Sequence, residues 1–396
     1  MSEGTDGFIE PHAKTVDEQR LRRVLAEYAS GHVEGAVASL ARESPGWSAR
    51  TLARTLDRLQ ADIKHHLQAA NRVSARHDER VIGSLRAERV QLLILFAGLH
   101  LYASNSAGSV DAAARNLDAS EGAVDRLHGL RPDFKDTGAV PWPVDLNSTS
   151  DAHLSPSHDT GGAADWPIVL GYIERWYSAA VARLQAAVEV TRQPALIAKG
   201  LQRFPDSHDL LLARGSFLET HIALHRPDRS LSADLESSDD RRRWREQVSA
   251  AALAYQRASA VMPNDGEALV RLGRVQLALG RTDSARAVLT DALTRPLPTQ
   301  TRYLALLFRA DAAYDIGDAA AAREDYQAAL LECPVATTPM LALGSLADER
   351  GDSIEAQRWV QRALTTPAGG DPWRTYIQGQ AWRLQPRFEA VRTLRD

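Results

Sequence analysis

Residues 251–263 read AALAYQRASAVMP, and the same frame returns as ARAVLTDALTRP at 285–296, AREDYQAALLECP at 322–334 and AQRWVQRALTTP at 356–367. Each stretch opens on an alanine, carries a large residue four positions on and a second alanine three further, and closes at a proline. The triplets are Ala251, Tyr255 and Ala258; Ala285, Leu289 and Ala292; Ala322, Tyr326 and Ala329; Ala356, Val360 and Ala363. A spacing of i, i+4, i+7 puts each triplet on one face of an α-helix. The large side chain is then a knob flanked by two places where a second helix can come close. The leading alanines stand 34, 37 and 34 residues apart.

Five residues before each of the last three triplets lies a glycine: Gly280, Gly317 and Gly351. Glycine tolerates the left-handed backbone that ends one helix and lets the next turn back antiparallel. The partner helices upstream carry Leu272-Gly273, Leu306 with Ala310, and Leu343-Gly344. A helix–turn–helix period of this length with this alanine and proline signature resembles the tetratricopeptide repeat, over roughly residues 205–370. The match is specific in the second helices and looser in the first, where Leu269, Leu306 or Met340 stands in place of the tryptophan common in that family. The resemblance implies an all-α fold, with antiparallel helix pairs stacked as a right-handed superhelical solenoid beside an N-terminal helical region.

A chain of 396 residues exceeds one ordinary compact core, but a solenoid escapes that limit because each repeat touches only its neighbours. The 47 basic and 51 acidic residues nearly balance, with a net charge of -4, which does not suggest a surface built for nucleic acid or an anionic membrane. The single cysteine, Cys333, makes an internal disulfide or a cysteine-built metal site impossible within one chain. Its place one residue before Pro334 reads as a structural thiol. No segment has the charged start and apolar core of a secretory signal, and the most apolar run, 92–103, falls short of the ~20 residues that span a bilayer. The expected compartment is the cytoplasm, or the periplasm or exterior if a signal has been removed.

Residues 1–14 read as a disordered start, and 15–135 as a helical region. Within it Gly31, Ala36 and Leu40 repeat the spacing of the later repeats, but Glu43 replaces the closing alanine, so this is a degenerate repeat. The stretch QLLILFAGLHLYA at 91–103 is apolar on nearly all sides and is predicted to be the buried centre of this region. Composition then turns to Gly, Pro, Ser, Asp and Thr over 136–165, a linker or long loop. Helices resume at 166 and continue to 396. HRPDRSLSADLESS at 225–238 interrupts them as an insertion, and Trp373, Tyr376 and Trp382 mark a C-terminal helix that is expected to cap the last repeat.

Catalytic and ligand-binding signals are thin. Asp136-Thr137-Gly138 and Asp159-Thr160-Gly161 echo the paired motif of aspartic proteases, but they lie in a linker rather than in two β-rich lobes. His65, His66, His77 and His100 lack the i, i+4 spacing that sets two ligands on one helix face, and His100 reads as a core histidine. His221 and His225 have that spacing without the glutamate of HExxH. No phosphate-cradling glycine loop is present, so neither a cofactor nor a metal is implied. The basic run at 241–245 follows Asp239 and Asp240 and reads as a locally paired helix start.

The residues thus point to a non-enzymatic interaction scaffold for a protein or peptide partner, with no nucleic acid and no membrane insertion. The alternative is a helical enzyme or ligand-sensing regulator with its active part in 15–135, but no converging set of titratable residues supports it. Aligning the repeats places Leu212, Ser216, Glu219, Val270, Arg274, Leu277, Leu307, Asp311, Tyr314, Leu341, Ser345 and Asp348 on the inner face of the first helices. One branch of the resembled family grips a chaperone's C-terminal carboxylate with lysines and asparagines there. Aliphatic, serine and acidic residues replace them here, which argues against that partner. The expected ligand is a peptide or helix with apolar anchors and a basic or neutral flank.

Overall fold

A computed structural model describes residues 110–129, 166–186, 191–224, 238–367 and 370–376, together with scattered positions between 61 and 104. The expected helices before residue 61, the 136–165 linker and most of the insertion lie outside the described residues. Among the described residues every regular element is helical. The chain divides into two compact units, Met1–Leu196 and Ile197–Asp396.

The first unit contains helices α1 (Val110–Gly129) and α2 (Trp166–Ala186), which contact each other. In the described part of the apolar stretch Leu93, Ile94, Ala97, Leu99 and Leu101 form core, as its all-round hydrophobicity predicts, and Val90 just before it is buried with them. A buried polar relay ties these elements together. The Ser120 hydroxyl of α1 donates to the Ala97 carbonyl at 2.6 Å and accepts from the Trp176 indole of α2 at 2.9 Å. His100 is buried and bonded through Nδ1 to Asn116 Oδ1 at 2.9 Å, and burial lowers its pKa despite that bond. Ser120→Ala should leave the Trp176 N–H without an acceptor in a dry site. Its cost should be about 1–3 kcal/mol, read as a lower melting temperature followed by tryptophan fluorescence.

The unit boundary falls within α3 (Gln193–Arg203). The second unit then builds four helix pairs: α4 (His208–Leu224) with α5 (Ser238–Val261), α6 (Gly266–Ala278) with α7 (Thr282–Leu293), α8 (Thr299–Asp315) with α9 (Ala319–Glu332), and α10 (Thr337–Glu349) with α11 (Ser353–Thr365). A short helix, α12 (Pro372–Tyr376), follows. Each helix contacts its hairpin partner, successive pairs touch through α5–α6, α7–α8 and α9–α10, and α6 also lies against α8. This is a solenoid of stacked antiparallel helix pairs.

Every member of the four triplets is buried, with Tyr255 and Leu289 fully enclosed. The reason lies on the first helices. A Cβ added at Gly215 would stand 2.4 Å from the Tyr255 ring, and one at Gly273 would stand 2.4 Å from Leu289 Cγ. The knob of the second helix therefore sits where the first helix has no side chain at all. At the last pair Gly344 faces Val360 in ordinary contact.

The hairpin turns repeat one geometry. Gly280, Gly317 and Gly351 all have φ between 74° and 82°, in the left-handed region. At each, the glycine N–H donates to the carbonyl three residues back, and the following N–H reaches five residues back, closing the carbonyls of the ending helix. The next helix starts at once. Asp318 accepts from the Ala321 N–H and Asp352 from the Glu355 N–H as N-caps, each worth about 1 kcal/mol. Thus Gly-Asp ends one helix and begins another within two residues.

Ala322 is fully buried on α9, so Ala322→Leu should force a larger side chain into a closed contact. The expected loss is ~1–3 kcal/mol, measured by thermal or urea unfolding. A second prediction concerns pH. His208, at the start of α4, sits between two carboxylates, with Nε2 2.8 Å from Asp265 Oδ2 and Nδ1 3.2 Å from Asp209 Oδ1. Asp265 is also the N-cap of α6. The Asp209 hydrogen bond, opposed by burial and helped by the charges of Asp265 and Asp209, raises the His208 pKa above 6.5. A base with a raised folded pKa stabilises fully below its unfolded value and loses that effect as pH rises through the folded one. His208→Gln should therefore lower the melting temperature more at about pH 5.5 than at about pH 9.

Candidate partner-binding groove

The first helices α4, α6, α8 and α10 supply one side of the stack, and the chain itself runs across that side at residues 370–376. The path begins at the α9–α10 turn, where the Cys333 thiol approaches the Gly370 carbonyl at 3.4 Å. Burial raises the pKa of this half-buried thiol, which therefore stays protonated and structural.

Asp371 comes next, and it is 2 % exposed. Its carboxylate accepts from the Tyr303 hydroxyl of α8 at 2.7 Å, the Thr338 N–H of α10 at 2.8 Å and the Trp373 N–H at 3.0 Å. Ala336, the residue at the N-cap of α10, has no side chain able to cap it. Asp371 satisfies that helix start from more than thirty residues away. Burial, then the Asp371 charge, raises the Tyr303 pKa, so the phenol remains a neutral donor. Hydrogen bonds to a charged partner in such a site contribute roughly 1.5–3 kcal/mol each.

Beyond Asp371 the contacts become aromatic. Trp373 and Tyr376, three residues apart on α12, stack with ring centroids 5.8 Å apart at 16°. Phe308 of α8 meets both edge-on, at 5.2 Å and 5.8 Å. Two arginines of α6 cover them. The Arg274 guanidinium lies 5.3 Å from the Trp373 ring centroid and 5.9 Å from that of Phe308, and Arg271 lies 5.0 Å from that of Tyr376. Each such pairing contributes about 0.5–2 kcal/mol, more where water is excluded.

The path ends at Glu219 of α4. The Tyr376 hydroxyl donates to its two oxygens at 3.0 Å and 2.9 Å, and the Tyr255 hydroxyl donates to Oε2 at 2.8 Å. Arg271 stands 4.0 Å from the same carboxylate while its Nε donates to Glu267 at 2.8 Å. Burial first and then Glu219 raise the pKa of both phenols, which keeps them donors.

The structure distributes the sequence-derived groove residues over several roles. Glu219 and Arg274 meet at the chain's own segment. Val270, Leu307 and Leu341 are buried in the core between helices, with Leu277 packed against it, and Leu212 packs on the core of the first pair. Asp311 accepts from the Tyr326 hydroxyl at 2.6 Å, and the exposed Tyr314 donates to Glu349. Ser216 is half-buried, whereas Ser345 and Asp348 are exposed. Sequence reasoning missed Arg271, Tyr303, Phe308 and Asp371. Arg271 was legible as the i−3 neighbour of Arg274 on one helix face. No local signal marks the bond between Tyr303 and Asp371, which lie 68 residues apart.

Other candidate chemistry finds no support. Arg242 pairs with Asp239 at 3.0 Å and Glu246 at 3.8 Å, and Trp244 packs against the core of the first pair. The two Asp-Thr-Gly motifs, His66, His77 and His225 lie outside the described residues, as does the side chain of His221. Among the described residues no group of three His, Cys, Asp or Glu could hold a metal, and no helix is long and apolar enough to cross a membrane.

The tetratricopeptide repeat family matches residues 245–308. No curated protein matches the sequence. Among solved structures the chain is similar to PilF of Pseudomonas aeruginosa, at 14 % identity over 56 % of this chain and 86 % of that one, with a TM-score of 0.40. It is similar also to PilW, a type IV pilus biogenesis factor, at 16 % identity over 57 % and 99 %, TM-score 0.41. Yeast Tom70 matches at 9 % identity over 99 % of this chain and 69 % of that one, with a TM-score of 0.37. The family match covers residues 245–308, within α5 to α8, and the recurring alanine triplets and glycine turns carry the same hairpin pattern on to α11.

Proposed function

We propose that this protein is a non-enzymatic interaction scaffold, which holds a peptide or helix of a protein partner against the first helices of its repeats. The observation that carries this reading is the pair Arg271 and Arg274 on α6. With Phe308 and Glu219 they hold Trp373 and Tyr376 of the chain's own 371–376 segment, so one small area binds an aromatic segment through cations, an anion and apolar surface. Arginines and aromatic rings grouped in this way dominate interfaces, because they combine large contact area with directed polar bonds. Tyr314, Ser345 and Asp348 on α8 and α10 are exposed, and in this reading they form the polar rim of such a surface.

Leu212 and Leu277 are only partly buried where they pack on the core, and their remaining apolar surface would favour a ligand that anchors through apolar or aromatic groups. Within the basic run Arg242 is paired with Asp239 and Glu246 of its own helix, which supports a protein partner over a nucleic acid. Arg274→Glu together with Tyr314→Ala should weaken binding of a partner co-purified with the wild-type protein by about tenfold or more, with unchanged circular dichroism. Isothermal titration is the measurement. Equal affinity for the double variant ends the groove reading.

A further inference from the structure

The segment Asp371–Tyr376 behaves in the structure as a ligand would. The described residues of α12, Pro372–Tyr376, lie on a surface made by α4, α6 and α8. Its bonds to that surface are of the interface kind: a carboxylate on a backbone N–H and a phenol, two stacked rings under two guanidiniums, and a phenol on a carboxylate. Trp373 and Tyr376 are only half-buried, so the segment is laid onto the face rather than enclosed by it. It is joined to α11 through residues 366–370 alone, and so short a tether holds a bound segment at millimolar effective concentration.

From these contacts we infer that the inner face recognises a partner segment with an acidic residue followed two and five positions later by aromatic ones. Asp371, Trp373 and Tyr376 of this chain are the internal competitor for that same face. The inference rests on the scaffold reading and specifies its ligand. Each receptor group is fitted to a class of incoming group. Tyr303 and the Thr338 N–H take a carboxylate, Phe308 with Arg274 takes an aromatic ring, and Glu219 with Arg271 takes a ring bearing a donor. A partner gains access only by replacing all three contacts, which gives the scaffold a closed resting state and selects against segments with an isolated aromatic. Regulation then needs no second site, because occupancy of the face is set by competition between a tethered and a free ligand.

The test uses the full-length chain and a fluorescent peptide of residues 369–378, GGDPWRTYIQ. Full-length Trp373→Ala with Tyr376→Ala should bind the peptide at least about tenfold more tightly than wild type, measured by fluorescence anisotropy. Adding Arg274→Glu to that variant should abolish the gain, and a peptide with its aspartate changed to asparagine should bind more weakly. If the double variant does not fold by circular dichroism, Tyr376→Phe serves. It keeps the ring, removes the bond to Glu219, and should give a smaller gain in the same direction. Equal peptide affinity for wild type and variant, or no binding by either, overturns the proposal and makes the segment a fixed part of the fold. A wild-type dimer that becomes monomeric on substituting Trp373 and Tyr376 in sedimentation would place the segment in a second copy, which also overturns it. If the peptide fails while the co-purified partner still binds wild type, the scaffold reading stands alone. If neither binds, both fall.

Discussion

The second unit depends on one steric constraint: a large side chain on each second helix meets a position on the first helix where a side chain is missing or minimal. Tyr255 against Gly215 and Leu289 against Gly273 are the tight cases, where even a methyl group would overlap the knob. Glycine in a helix interior costs roughly 1 kcal/mol relative to alanine, so the close approach must return more than that through contact and burial. It fixes the distance between paired helices. The glycine turns can then be short, and the flanking alanines lie flat against neighbours on both sides. Successive pairs inherit the same geometry, and the first helices come to lie along one side.

That side is held by polar bonds of unusual sequence range. Asp371 ties α8, α10 and α12 at one point, and Glu219 ties α4, α5 and α12 at another. Both carboxylates are satisfied chiefly by phenols and backbone amides, and the phenols stay neutral because burial disfavours their charged form. A carboxylate bonded in this way is stable in a low-dielectric setting, whereas an unpaired one is costly. Between the two anions Arg271 and Arg274 lie over the rings of α8 and α12 and bring positive charge to the same strip. The strip therefore alternates anion, aromatic and cation.

The first unit uses a different device. Its described core residues between 90 and 101 are largely apolar, and the Ser120 hydroxyl both donates and accepts between Ala97 and Trp176. α2 belongs there together with α1, although its sequence reads as a continuation of the helices that follow. An apolar helix declares that it will be buried without declaring against what.

The alanine triplets and the turn glycines were legible from residue order alone. They act within one hairpin, where helix periodicity and backbone conformation translate spacing directly into geometry. The inner-face positions of Glu219 and Arg274 were legible for the same reason. The burial of Val270, Leu307 and Leu341 was not, since an apolar residue on a first helix reads alike whether it faces a groove or a neighbouring helix. Least legible was the return of Asp371, Trp373 and Tyr376 across the first helices. Tyr376 and Glu219 are 157 residues apart, and only the superposition of three stacked repeats brings them together. Sequence alone determined the repeating hairpin, because its interactions are local. Tertiary structure alone decided what lies on the inner face, because that contact exists only once the solenoid has been built.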